Sequence, residues 1–200
     1  MKNLVKIAAL AVLSLGFGVA AQAQEASSER TMTATASVLG IVEVEKSVDL
    51  AFGQVMPGFN KYVAMKGDVV TSNSLGTVNS LGVKSGLFKV FAAAGSSITM
   101  TLEVAPFANV DNENADPLPL FFNQGVLATD AVTTLAWSKK GEGAQDIPMV
   151  VGSNTIDSVP TSPLDGRNGI EVYVGGTVRP AANQASGSYE TTITLSAAYN

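Results

Sequence analysis

The densest group of oxygen donors in this 200-residue chain is Asp111-Asn112-Glu113-Asn114-Ala115-Asp116. Hard cations such as Ca2+ take about six to eight oxygen ligands, and a loop of this kind can offer several. Asp111, Glu113 and Asp116 are the candidate ligands. The EF-hand spacing fails, because Ala115 stands at the fifth position, no glycine follows at the sixth, and Asp116 runs into Pro117. A solvated acidic loop is the favoured reading. Glu43 and Glu45 lie two apart on an expected strand and share a face. A glycosidase pair would need a cleft between its carboxylates, and without one they read as a solvent-facing stripe. Trp137, the one tryptophan, could stack on a sugar but fits a core or interface anchor better. Gly141-x-Gly143 has neither the following helix nor the lysine that a phosphate loop requires. Histidine and cysteine are both zero. That removes disulfides, thiolate and imidazole metal sites, cysteine nucleophiles and Ser-His-Asp triads. No catalytic residue, cofactor or metal site is assigned, and the chain reads as a non-enzyme.

The elements around those residues must be inferred from pattern. Hydrophobic residues make up 46% and charged residues 14%, against about a quarter charged in ordinary globular chains. The formal charge of −5 leaves no basic footprint for nucleic acid and no polybasic membrane patch. Lys2 and Lys6 precede a nearly unbroken apolar run over 7–20, and Ala21-Gln22-Ala23 follows. This order is that of a secretory signal peptide cleaved after Ala23. The run is shorter than the roughly 20 residues of a spanning helix, and no cysteine follows to carry a lipid. Removing two lysines takes the charge from −5 to −7. The expected location is outside the cytoplasm: periplasm, cell surface or medium. The expected organisation is a signal peptide over 1–23, a polar flexible leader over 24–30 and a single domain over 31–200, with no transmembrane segment in the mature chain.

Period-two alternation dominates that domain. Tyr189, Thr191, Ile193, Leu195, Ala197 and Tyr199 fall on one face of an expected strand over 189–199. Ile98, Met100, Leu102 and Val104 alternate with Thr99, Thr101 and Glu103, and Ile170, Val172 and Val174 with Glu171 and Tyr173. Further strands are expected over 31–38, 41–44, 48–52, 69–71, 87–93, 118–122, 132–137 and 147–151. Glycine, Asn, Asp and Ser clusters separate them, as turns require. Residues 105–119 and 153–163 carry prolines and acids and read as inserted loops. Many short strands with almost no helical periodicity predict an all-β fold, an antiparallel Ig-like or pilin-like β-sandwich. A membrane β-barrel is rejected, because 6% aromatic residues cannot build its two girdles.

Three stretches, Val48-Asp49-Leu50-Ala51-Phe52-Gly53-Gln54-Val55, FKVFAAAGSSITMTL over 88–102 and VYVGGTVRPAANQASGSYETTITLSAAY over 172–199, together resemble the bacterial domain-of-unknown-function family numbered 4402. The resemblance implies an exported β-sandwich related to spore-coat-U-like and fimbrial subunits, with no enzymatic activity. The matched residues also have physical roles. Leu50 and Phe52 face the core while Gly53 lets the strand bend away. Gly175 and Gly176 permit a tight turn or bulge where a side chain would clash. Gly187 enters the closing strand, and Tyr189 and Tyr199 plug the two ends of the sandwich if each hydroxyl reaches water or a carbonyl.

Residues 31–38 alternate Thr31, Thr33, Thr35 and Ser37 with Met32, Ala34, Ala36 and Val38. After a flexible leader, such a segment can be lent to a neighbouring subunit as a donor strand. It can equally be the sandwich's own first strand, and the small side chains favour that second reading. The functional expectation is a structural or adhesive surface protein, fimbrial-subunit-like, self-associating or joining related subunits by strand pairing. A monomeric module that binds a glycan or protein of unknown identity through residues 105–119 and 153–167 is the alternative.

Overall fold

The alternation seen in the sequence becomes strand in three dimensions. The computed structural model describes residues 33, 35, 40–66, 70–72, 81–122, 133–139, 146–161 and 163–200. In chain order the strands are β1 (Glu43–Val48), β2 (Ala51–Phe52), β3 (Lys61–Val63), β4 (Val70–Ser72), β5 (Val83–Lys84) and β6 (Gly86–Phe91). There follow β7 (Ile98–Val104), β8 (Ala108–Asn109), β9 (Leu120–Phe121), β10 (Leu135–Lys139), β11 (Ile147–Pro148) and β12 (Gly152–Ile156). The last five are β13 (Pro163–Leu164), β14 (Arg167–Val174), β15 (Gly176–Val178), β16 (Tyr189–Glu190) and β17 (Ile193–Tyr199). Among the described residues there is no helix, every strand pairing is antiparallel, and the fold is all-β. No helix there is long and apolar enough to cross a membrane. The expected signal peptide, the expected leader and the donor-strand candidates Met32, Ala34, Ala36 and Val38 lie outside the described residues.

Two sheets face each other. One runs β1-β6-β14-β10-β11, with β13 paired to β14 off that path; the other runs β12-β7-β17. Alternate side chains of β6, β10 and β14 (Val90, Leu135, Trp137, Ile170, Val172, Val174) meet Ile98, Met100 and Leu102 of β7, Ile156 of β12 and Leu195 of β17. Each large side chain so enclosed contributes about 1.5–3 kcal/mol. With no cysteine in the chain, packing and backbone ladders carry the fold. Trp137 is a core residue.

A second apolar cluster sits beside the first: Phe52, Val63, Val83, Leu118 and Val178 are buried, with Phe107 and Tyr189 packed against them. It is framed by the sheet β4-β3-β15-β9 and the pairs β2-β5 and β8-β16. Leu50 touches both clusters. Gly53 follows β2 with φ +59°, the left-handed bend expected of it. Gly175 and Gly176 do not form a turn. The chain passes from β14 into β15 through the single residue Gly175 and changes sheet there, where a Cβ would lie 2.4 Å from the Val63 carbonyl oxygen. The clash was foreseeable from the glycine pair; its setting, a strand shared between two sheets, was not.

Other expectations are corrected by pairing. The closing segment is two strands, because the register changes where Pro106 stands opposite Thr191. Ala105 N still donates to Thr192 O at 2.9 Å, and beyond the proline Tyr189 and Glu190 pair with Asn109 and Ala108 instead, one residue out of register. The 105–119 loop therefore contains β8. The 153–163 loop begins as strand: β12 pairs with β7 from Gly152 opposite Leu102 to Ile156 opposite Ile98. An edge strand needs little apolar patterning, which is why it read as a loop. The strand over 48–52 is divided, Glu43–Val48 pairing with β6 and Ala51–Phe52 with β5.

Candidate functional site

Among the described residues the sandwich has four edges: β1 and β11 on one sheet, β12 and β17 on the other. Three of them are guarded. β1 carries Glu43, Glu45 and Lys46, and its register breaks between Lys46 and Val48. β11 is two residues ending in Pro148. In β12 the Asn154 side chain turns back on Val150, accepting from its N–H at 2.9 Å and donating to its carbonyl at 2.9 Å, while Gly152 holds φ +103°. β17 has the sequence ITLSAAY, with no charge and no proline. Edges so built are open to pairing.

The backbone direction along β17 follows from two hydrogen bonds. Thr192 O accepts from Ala105 N, and Asn200 N donates to Ser97 O, so even-numbered residues face β7. Alternation then turns the N–H and C=O of Ile193, Leu195, Ala197 and Tyr199 outward. Among the described residues no strand pairs with that side. Their side chains point to the core: Leu195 is buried, with Ile193, Ala197 and Tyr199 packed alongside. Facing this edge, Val44 and Phe88 of the wider sheet and Val42 and Leu50 flanking β1 are only half-covered, unlike Ile170 and Val172 further in.

At the Ile193 end of β17 a cleft of about 1020 Å³ opens between the two clusters. Leu50, Phe52, Phe88, Val174 and Ile193 give it an apolar floor, and Lys46, Asp49 and Glu190 stand on its lining. Phe107 packs 6.1 Å from Phe52 and edge-on, 6.4 Å, to Tyr189. The Tyr189 hydroxyl donates to Ala185 O (2.8 Å) and accepts from Gln184 Nε2 (2.9 Å). Tyr199 belongs to the other cluster, and its hydroxyl accepts from Ala93 N at 2.9 Å. The two tyrosines thus anchor separate cores, one hydroxyl reaching a carbonyl and the other a backbone N–H.

The acidic loop is organised by a residue the sequence did not single out. Buried Asn109 accepts from Asp111 N (2.9 Å) and Asn112 N (3.0 Å) through Oδ1 and donates to Ser186 O (3.3 Å). Asp111 Oδ2 accepts from Ser188 N at 2.6 Å. Gly187, at φ +141°, must be glycine, since a Cβ would fall 2.8 Å from both Asn109 side-chain amide atoms. Asp111 thus holds a turn, and among the described residues no three acidic groups, Asp111, Glu113 and Asp116 included, gather as a cation would need. The loops 105–119 and 153–167 do not converge either. The first leaves β7 after Val104; the second returns beside Gly95 and Ser96, before Ile98, where Val159 N donates to Ser96 O and Gly95 N to Val159 O.

Glu43 and Glu45 do share a face, and Arg167 bridges them at 2.6 and 2.5 Å while its guanidinium lies 3.5 Å from the Phe91 ring centroid. Beside it Lys89 pairs with Asp165 at 2.5 Å. The hydrogen bond to Asp165 raises the Lys89 ammonium above its ordinary range. On the same face burial, and then the hydrogen bond to Glu171, raise the Tyr173 phenol. Lys61 is buried in β3, donates to Gln54 O at 2.7 Å, and is held below the ordinary lysine range by desolvation. Its neighbours in sequence give no hint of burial except Val63 at the same face. No protein-family model and no curated protein matches this chain.

Proposed function

We propose that this protein is an exported structural or adhesive subunit of the bacterial surface, similar to fimbrial subunits, that self-associates by pairing strands and has no enzymatic role. The observation that carries the reading is the β17 edge: seven uncharged residues, four of them with outward backbone groups, beside half-covered apolar surface. Among the described residues, three guarded edges beside one open edge concentrate association at one place. A relationship to the family numbered 4402, proposed on the three stretches quoted above, would point the same way through its pilin-like relatives. Size-exclusion chromatography with light scattering, and electron microscopy, test it. Oligomers are expected; a strict monomer at high concentration overturns it.

One observation favours a second reading, a monomeric binding module. The cleft is large enough for a small ligand, and Phe107 and Leu118 bring the 105–119 loop to it. A glycan array whose hits vanish when that loop is replaced would select this reading.

A further inference from the structure

We propose that β17 pairs antiparallel with β17 of a second copy, across a twofold axis at Ser196, joining two three-stranded sheets into one continuous sheet. The inference rests on the strand-pairing reading above and gives it a partner, a strand and a register. Hydrogen-bonded pairs must join outward-facing residues with one another, here the odd-numbered positions of β17. A twofold at Ser196 uses all four of them, Ile193 opposite Tyr199 and Leu195 opposite Ala197. Moving the axis to Leu195 or Ala197 leaves an end of the strand unpaired.

Side chains fit the same register. On the inner face the large Leu195 meets the small Ala197 of the other copy. On the exposed outer face Ser196 meets its own mate and Thr194 meets Ala198. No charge is brought together, which matters for two copies that each carry a net negative charge. The added strand also extends the narrower sheet toward Val42, Val44 and Phe88, apolar side chains left half-covered at the β1 side. A second copy is the occupant chosen because β17 is its own complement; residues 31–38 are the rival. Twofold contacts close, so the dimer is a unit of assembly, and a filament of such dimers would use a second, different contact.

The chain has no cysteine, which permits a clean test. At a non-hydrogen-bonded antiparallel pair the Cα atoms are about 4.5 Å apart, within disulfide range. Ser196→Cys in the purified protein should form an interchain disulfide under mild oxidation, whereas Thr155→Cys, on β12, should not. The double variant Thr194→Lys with Ser196→Lys alters only exposed positions and should halve the mass found by light scattering, with the circular dichroism spectrum retained. Thr155→Lys and deletion of residues 24–38 should leave the dimer intact. A dimer that ignores the two lysines, that fails to crosslink through Ser196→Cys, or that disappears with residues 24–38 overturns the β17 pairing while sparing self-association. A monomeric wild type overturns both.

Discussion

Replacing Gly175 by alanine tests the claim that one strand is shared by two sheets. The added Cβ would lie 2.4 Å from Val63 O, 2.9 Å from Ala64 C and 3.0 Å from Met65 N. All three are backbone atoms, so no rotamer change relieves the contact; β3 must move away from β15 by about an ångström and loosen the pairing of Gly176 with Val63. Overpacking of this kind costs about 3 kcal/mol, the upper end for an inserted methyl. For a unit of this size that lowers Tm by about 6–12 °C. Trp137 is the one tryptophan and is buried in the main core, so its fluorescence reports urea or thermal unfolding directly. Gly176→Ala should cost less, about 1 kcal/mol, because its Cβ meets the tips of Leu120 and Phe52 at 3.0 and 3.1 Å. Gly40→Ala, with no atom within 4 Å, should stay within about 0.5 kcal/mol of wild type. A Gly175→Ala protein as stable as Gly40→Ala would refute the close-approach argument.

Four other outcomes are expected. Asn109→Ala should destabilise by about 1–3 kcal/mol, since it strips the acceptor from two backbone N–H groups, and hydrogen exchange at Asp111 and Asn112 should accelerate. Millimolar Ca2+ should leave the unfolding midpoint unchanged, because Asp111 is committed to Ser188 N; a clear rise in Tm would revive the cation reading. Arg167→Ala should leave the midpoint of a urea melt nearly unchanged, because both of its ion pairs are exposed; a large drop would show that they carry stability. Lys61 has a folded value below its ordinary 10.5, so between the two values the unfolded chain holds more protons and stability rises with pH. Tyr173, raised above 10.0, acts with the opposite sign at higher pH. In a Tyr173→Phe background, urea melts should therefore show stability climbing toward pH 10.5, and Lys61→Met should abolish the climb.

The sequence is most legible where one face is core and the other solvent. β7 occupies the span its alternation predicts, and the closing segment keeps its inward face from Tyr189 to Tyr199 despite the interruption at Thr191. β12 was hidden because Ser153, Asn154 and Thr155 pack against nothing that selects apolar residues. β8 and β16 are two-residue pairings that exist only because the chain beyond Pro106 meets Tyr189, a long-range accident that no local window contains. The candidate site divides the same way. The neutrality of ITLSAAY was visible at once, but its importance depends on how the other edges are guarded, and that is a property of the folded sheets. Asn109 and Lys61 went unnoticed because polar side chains announce burial only through their partners.

The run from Arg167 to Val178 passes through Gly175 without a loop. Pulling Thr177 or Val178 out of place would therefore drag Val172 and Val174 with them. The smaller cluster has no hinge on which to swing free, so a chain clipped or strained there should lose its larger core in the same event, melting once instead of in stages.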